Sequence, residues 1–64
     1  MAENRRLAAA RVLKGITQRQ LAERLGLKEI DVSRLETGRS VADWQMKLRI
    51  AEVLGKPTCE LFDC

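Results

Sequence analysis

Lys28, Glu29, Ile30, Ser33 and Arg34 are the residues of this 64-residue chain whose types and spacing suit contact with a partner. Val32 and Leu35, three residues apart, give a helix through this stretch an inward face and leave the other five to point elsewhere. Together they offer cationic donors, a carboxylate acceptor, a hydroxyl and an apolar branch. That is a set for recognition, not for making bonds. Catalysis lacks its parts: the chain has no histidine, and no nucleophile, base and orienting group can be recognised together.

Two helical patterns position these residues. Leu21, Ala22 and Leu25 form one stripe of a helix that opens at Thr17, which can cap it, with Gln20 three residues on to complete a capping box. Gly26 follows, where a left-handed residue can stop the helix and change the direction of the chain. Ala22 is small enough to let a second helix approach closely. The stretch from 18 to 35 therefore describes two short helices joined by a tight turn, the second free to lie in a DNA major groove.

The remaining elements follow from the same signals. A first helix is expected from Asn4 to Lys14, with Leu7, Ala10 and Leu13 inward, Ala8 and Val12 beside them, and Gly15 as its end. The second takes Thr17 to Leu25, and the third runs from Lys28 to Glu36 or Thr37 before Gly38. Asp43 caps a fourth, with Trp44, Leu48, Ala51 and Leu54 inward and Met46, Ile50 and Val53 nearby, ending at Gly55. Pro57 and Thr58 precede a last short turn from Cys59 to Phe62, where Leu61 and Phe62 can close the core. Scarce aromatics and the absence of β-branched runs favour an all-helical domain.

Composition narrows the partner. Residues 1–28 hold seven bases against two acids, whereas residues 29–64 hold five against seven, for +3 overall. One end of a small domain can thus face phosphate. No apolar run approaches a membrane span, and the N-terminus lacks a signal-peptide core, so a cytoplasmic protein without a membrane partner is expected. The chain reads as a single domain, residues 1–64, at a size where a second copy would help stability. Cys59 and Cys64, with no histidine and no further cysteine, cannot complete a tetrahedral zinc site. They are expected as free thiols, Cys59 partly packed. No metal or cofactor is called for.

Leu7 and Arg11, Thr17-Gln18, Leu21-Ala22, Leu25-Gly26, Val32-Ser33-Arg34-Leu35-Glu36 with Gly38, Leu48, Ile50-Ala51, Leu54-Gly55 and Glu60-Leu61-Phe62 stand at spacings that cover nearly the whole chain. In these residues the sequence resembles the Cro and phage-repressor type of helix-turn-helix, the xenobiotic response element (XRE) family. The resemblance implies a compact five-helix, lambda-repressor-like DNA-binding domain with helices two and three as the helix-turn-helix. It implies phosphate contacts at Thr17, Gln18 and Arg19 at the start of helix two, and at Arg39 and Ser40 in the loop after helix three. Base contacts fall to Lys28, Glu29, Ile30, Ser33 and Arg34. Arg34 suits guanine O6 and N7 or a phosphate, Glu29 suits cytosine N4, and Ile30 a thymine methyl.

The same resemblance pairs Arg11 with Glu36 as a structural ion pair tying helix one to the end of helix three. It implies a homodimeric repressor on a palindromic operator, prokaryotic or phage, cytoplasmic and nucleoid-associated, with dimer contacts at Leu61, Phe62 and part of helix four. Two departures stand out. Glu29 and Asp31 place acids at the start of helix three, where they suit the helix dipole but repel phosphate. Ala42 and Trp44 replace a proline and a smaller apolar residue common there. These acids keep open another use of the fold, as an antitoxin or immunity-type regulator or a protein-binding module.

Overall fold

The computed structural model describes residues 3–62, and among them the chain forms five α-helices and no strand. They are α1 (Arg5–Lys14), α2 (Gln18–Leu25), α3 (Glu29–Thr37), α4 (Trp44–Leu54) and α5 (Thr58–Leu61). The domain measures 25 × 23 × 21 Å. Cys64 lies outside the described residues.

Polar side chains start the helices where the sequence places them. Asn4 accepts from Leu7 N–H and Asp43 from Met46 N–H, while Thr17 and Gln20 form both halves of a capping box. Asp31 Oδ2 accepts from Lys28 N–H at 3.0 Å, so one of the two acids on α3 is engaged in starting its own helix. At the turn between α2 and α3, Gly26 has φ +72°, and a Cβ built there would meet nothing within 4 Å. Backbone conformation, not space, is what requires glycine at this turn. Leu27 N–H donates to Ala22 O, and Arg49 of α4 donates to Leu25 O, so the end of α2 is satisfied from two directions.

The core is built from Leu7, Leu21, Leu25, Val32, Ile50 and Leu61, all fully buried, with Ala10, Ala22, Ala42, Ala51, Leu54 and Phe62 closing around them. α3 packs most extensively on α2. Ala22, the small residue of the α2 stripe, is 2% exposed.

Three expectations are corrected by this packing. Leu13 is 80% exposed and Val12 also lies outside, because the inward face of α1 runs through Leu7, Ala10 and Arg11, whose guanidinium meets Glu36, and positions 12 and 13 fall roughly 110–150° around the helix from that face. Trp44 is 61% exposed and Leu48 47% exposed: α4 turns Ile50 and Leu54 to the core, and Trp44 and Leu48 lie roughly 80–160° around the helix from them. Leu61 and Phe62 are core residues of the protomer, so their side chains offer almost no surface for dimer contact. Cys59 is corrected too, being exposed and disulfide-bonded. The expected thiol rested on the reducing chemistry of a compartment, which is not a property of the chain itself.

Leu7→Ala should lower the unfolding free energy by about 2–5 kcal/mol through the cavity it leaves. Leu13→Ala should change it by less than about 0.5 kcal/mol. Urea titrations of the two variants check the inversion of the α1 stripe.

Candidate nucleic-acid interface

A buried carboxylate organises the site. Glu36, 8% exposed near the end of α3, accepts from Arg11 Nε at 2.7 Å and Arg11 Nη2 at 3.3 Å, a two-pronged pair between α1 and α3. Gln18 Nε2, in the first turn of α2, donates to Glu36 Oε1 at 3.0 Å. Arg11 Nη1 donates to Ile16 O at 2.8 Å, and the backbone N–H of Asn4 donates to Glu36 O at 2.9 Å. One residue thus registers three helices and the entry to the first. No buried side-chain polar atom among the described residues is left without a partner. Such a network fixes geometry more than it adds net stability, because desolvation offsets most of the attraction.

The expected ion pair of Arg11 and Glu36 is therefore in place, and Gln18 joins it. Sequence reasoning missed that third member, since a contact across 18 positions leaves no local pattern. With the Gln18 amide engaged by Glu36 and the Gln20 N–H capped by Thr17, the backbone N–H groups of Gln18 and Arg19 stand at the positive end of the α2 dipole. Thr17 is exposed and serves as the cap, and Arg19 is exposed in a loose 3.5 Å pair with Glu23 that solvent weakens.

α3 turns a face outward. Ile30 is 51% exposed, Arg34 is exposed and Ser33 half-buried, and these three line one groove together with Thr37, Arg39 and Glu3. Lys28 and Glu29 are exposed at the other end of the helix, outside that groove. Ser40 does not join it either, lining instead the hollows on the far side of the loop with Val41 and Ala42. The backbone N–H groups of Arg39 and Ser40 both donate to Arg34 O, so any anion contact from this loop falls to side chains.

Thr37 and Glu3 are the groove residues that sequence reasoning passed over. Thr37 was legible, standing seven residues after Ile30 and four after Ser33 on one helical face. Its hydroxyl donates to Ser33 O at 2.9 Å. Glu3 was not legible, because only the Asn4–Glu36 backbone bond carries the start of the chain to the end of α3.

A family model described as a helix-turn-helix domain matches residues 5–61. The chain belongs to the helix-turn-helix domain family. No curated protein and no solved structure matches it. The matched stretch contains every helix but the last residues of the chain, and α2, the Gly26 turn and α3 form the helix-turn-helix itself. Helix-turn-helix domains bind DNA, and this family is typically without enzymatic activity. Among the described residues no cluster of His, Cys, Asp and Glu stands ready for a metal, and no helix is long and apolar enough to cross a membrane.

Arg11→Met and Glu36→Met should each destabilise the domain by about 3 kcal/mol, since either leaves a buried charge unpaired. The double variant should lose clearly less than the sum of the two. A double-mutant cycle by chemical denaturation checks it.

Proposed function

We propose that this domain is a sequence-specific regulator of transcription that binds double-stranded DNA with α3 in the major groove. The observation that carries the reading is the outward face of α3, where Ile30, Ser33 and Arg34 share a groove with Arg39 beside a buried network that holds the helix in register. In this reading Arg34 reads guanine or holds a phosphate, Ile30 meets a thymine methyl, and Ser33, Lys28 and Glu29 complete the base contacts. Thr17, Gln18 and Arg19 hold one phosphate from the start of α2, with Arg39 and Ser40 holding another from the loop. One such helix spans few base pairs. Useful specificity then calls for a homodimer on a palindromic operator, which blocks polymerase and acts as a repressor. A prokaryotic or phage origin and a cytoplasmic, nucleoid-associated location belong to the same reading.

One observation favours a second reading. Glu29 is exposed on α3, and Glu3 lines the groove beside Arg34 and Arg39, so carboxylates face any approaching phosphate. An antitoxin or immunity-type regulator, or a module that binds a protein, would use that acidity.

Selection of random duplexes at two salt concentrations separates the two. The DNA reading expects a palindromic consensus with affinity that falls steeply as salt rises. Arg34→Ala should cost about 1–3 kcal/mol of binding and relax preference at one position, while Arg39→Ala should weaken all sequences alike and reduce the salt slope by about one. Folded protein that binds no duplex even at low salt would transfer the function to a protein partner.

A further inference from the structure

The hollow between the start of α1, the loop after α3 and α4 is lined by unlike groups, most of which the DNA reading leaves unused. Leu35, Ala42 and Phe62 give it an apolar floor, and Arg5, Arg6 and Lys47 bring cations to it against one carboxylate, that of Glu3. Its volume is about 330 Å³, at the small end of the range for sites that take organic ligands. Lys47 is half-buried, its Nζ stands 5.4 Å from the centroid of the Phe62 ring, and none of the ion pairs among the described residues includes it. An anion gains more from such a partly desolvated ammonium than from a lysine in open water. Arg5 adds a movable charge. It meets Glu3 at 3.6 Å in a pair whose side chains are 89% and 61% exposed, so an incoming carboxylate can displace Glu3 with little loss.

We propose that this hollow is a binding site for a small organic anion, a carboxylate carried on an aromatic or short aliphatic body. The two parts of the lining match the two parts of such a molecule. An apolar body laid on Leu35, Ala42 and Phe62 displaces the water that wets them, and a carboxylate at the rim meets Lys47 and Arg5, with the Ser40 hydroxyl in the same lining as a further donor. An anion without a body satisfies the cations and not the floor. A neutral ring satisfies the floor and leaves the cations as they were. Preference for molecules that have both parts is therefore the property that marks the site.

The place of the hollow gives its occupant a consequence. Glu3 lines both the hollow and the groove of Ile30, Arg34 and Arg39, and the loop that carries Arg39 continues through Ser40 to Ala42 along the wall of the hollow. An anion seated there adds negative charge beside the groove and engages Ser40, which the DNA reading gives to phosphate. Occupancy then weakens DNA binding for every sequence alike. This consequence rests on the DNA-binding reading above, whereas the site itself does not.

The test titrates the folded chain with benzoate at constant ionic strength and follows backbone amide shifts, with acetate and benzamide as the charge-only and ring-only probes. Benzoate should shift the amides of Arg5, Ser40, Lys47 and Phe62 to saturation with a dissociation constant of about 1 mM, and the other two probes should bind at least about 10-fold more weakly. Lys47→Met, which keeps an apolar stem over the ring, should weaken benzoate about 10-fold, and Arg5→Gln about 3-fold. Arg5 is exposed, so its substitution tests the site whatever Lys47→Met does to folding. Arg24→Gln, which removes an exposed cation outside the hollow, should leave benzoate binding unchanged. Saturating benzoate should weaken the selected duplex about 3-fold in the wild type and not in Lys47→Met. Benzoate that moves no amide of the hollow, or that binds both hollow variants as well as the wild type, overturns the site. Amides of the hollow that move with duplex and not with benzoate give its cations to phosphate and overturn it equally. Benzoate that binds there without weakening the duplex overturns the coupling alone. Folded protein that binds no duplex overturns the DNA reading, and the benzoate titration still decides the site.

Discussion

The carboxylate of Glu36 is the constraint on which the rest of the structure depends. It sits where α1, α2 and α3 converge, and both of its oxygens are occupied, by Arg11 and by Gln18. Burying a charge is tolerable only when its hydrogen bonds are complete, so this position admits little freedom in the three helices that serve it. The consequence is a defined orientation for α3. Its inner side, through Val32, is held in the core, and its outer side, through Ile30 and Arg34, has nowhere to turn but outward. Hydrophobic burial drives the collapse of this small domain, but apolar contacts alone would allow α3 to rotate or slide. The polar network removes that latitude.

Much of the fold was legible because it is written in local signals. Caps at Asn4, Thr17 and Asp43 and left-handed glycines at helix ends act over three or four residues, and they set the boundaries to within a residue. Placement around each helix was less legible. Reading apolar residues as inward misplaced Leu13, Trp44 and Leu48, because Arg11 holds an inward position on α1 and because the core takes one side of α4 and leaves Trp44 and Leu48 on another. Leu61 and Phe62 were expected both to close the core and to meet a partner, and their burial at 0% and 9% exposure commits them to the first. Gln18 was expected to face solvent anions, and its engagement by Glu36 depends on a contact between distant positions. Of the groove, Ile30, Ser33 and Arg34 followed from helical period alone, whereas Glu3 follows only from where the chain enters.

The surface divides the labour among the helices. α1 and α5 are largely occupied in closing the core, α2 supplies a helix start and its amide donors, and α3 supplies the outward groove. α4 supplies core on one side and, on the other, the largest exposed aromatic of the chain. The acids near α3 do not contradict recognition of DNA. Asp31 is engaged at Lys28 N–H, and Glu3, which stands outside the proposed base contacts, would lower affinity for every sequence alike.

The most direct measurement is backbone amide chemical-shift mapping of the folded domain titrated with its selected duplex. A helix held outward by Glu36 and inserted in a major groove predicts the largest changes at Gln18, Arg19 and residues 29–34, with Arg39 following. A duplex that binds while those amides stay unmoved would contradict it.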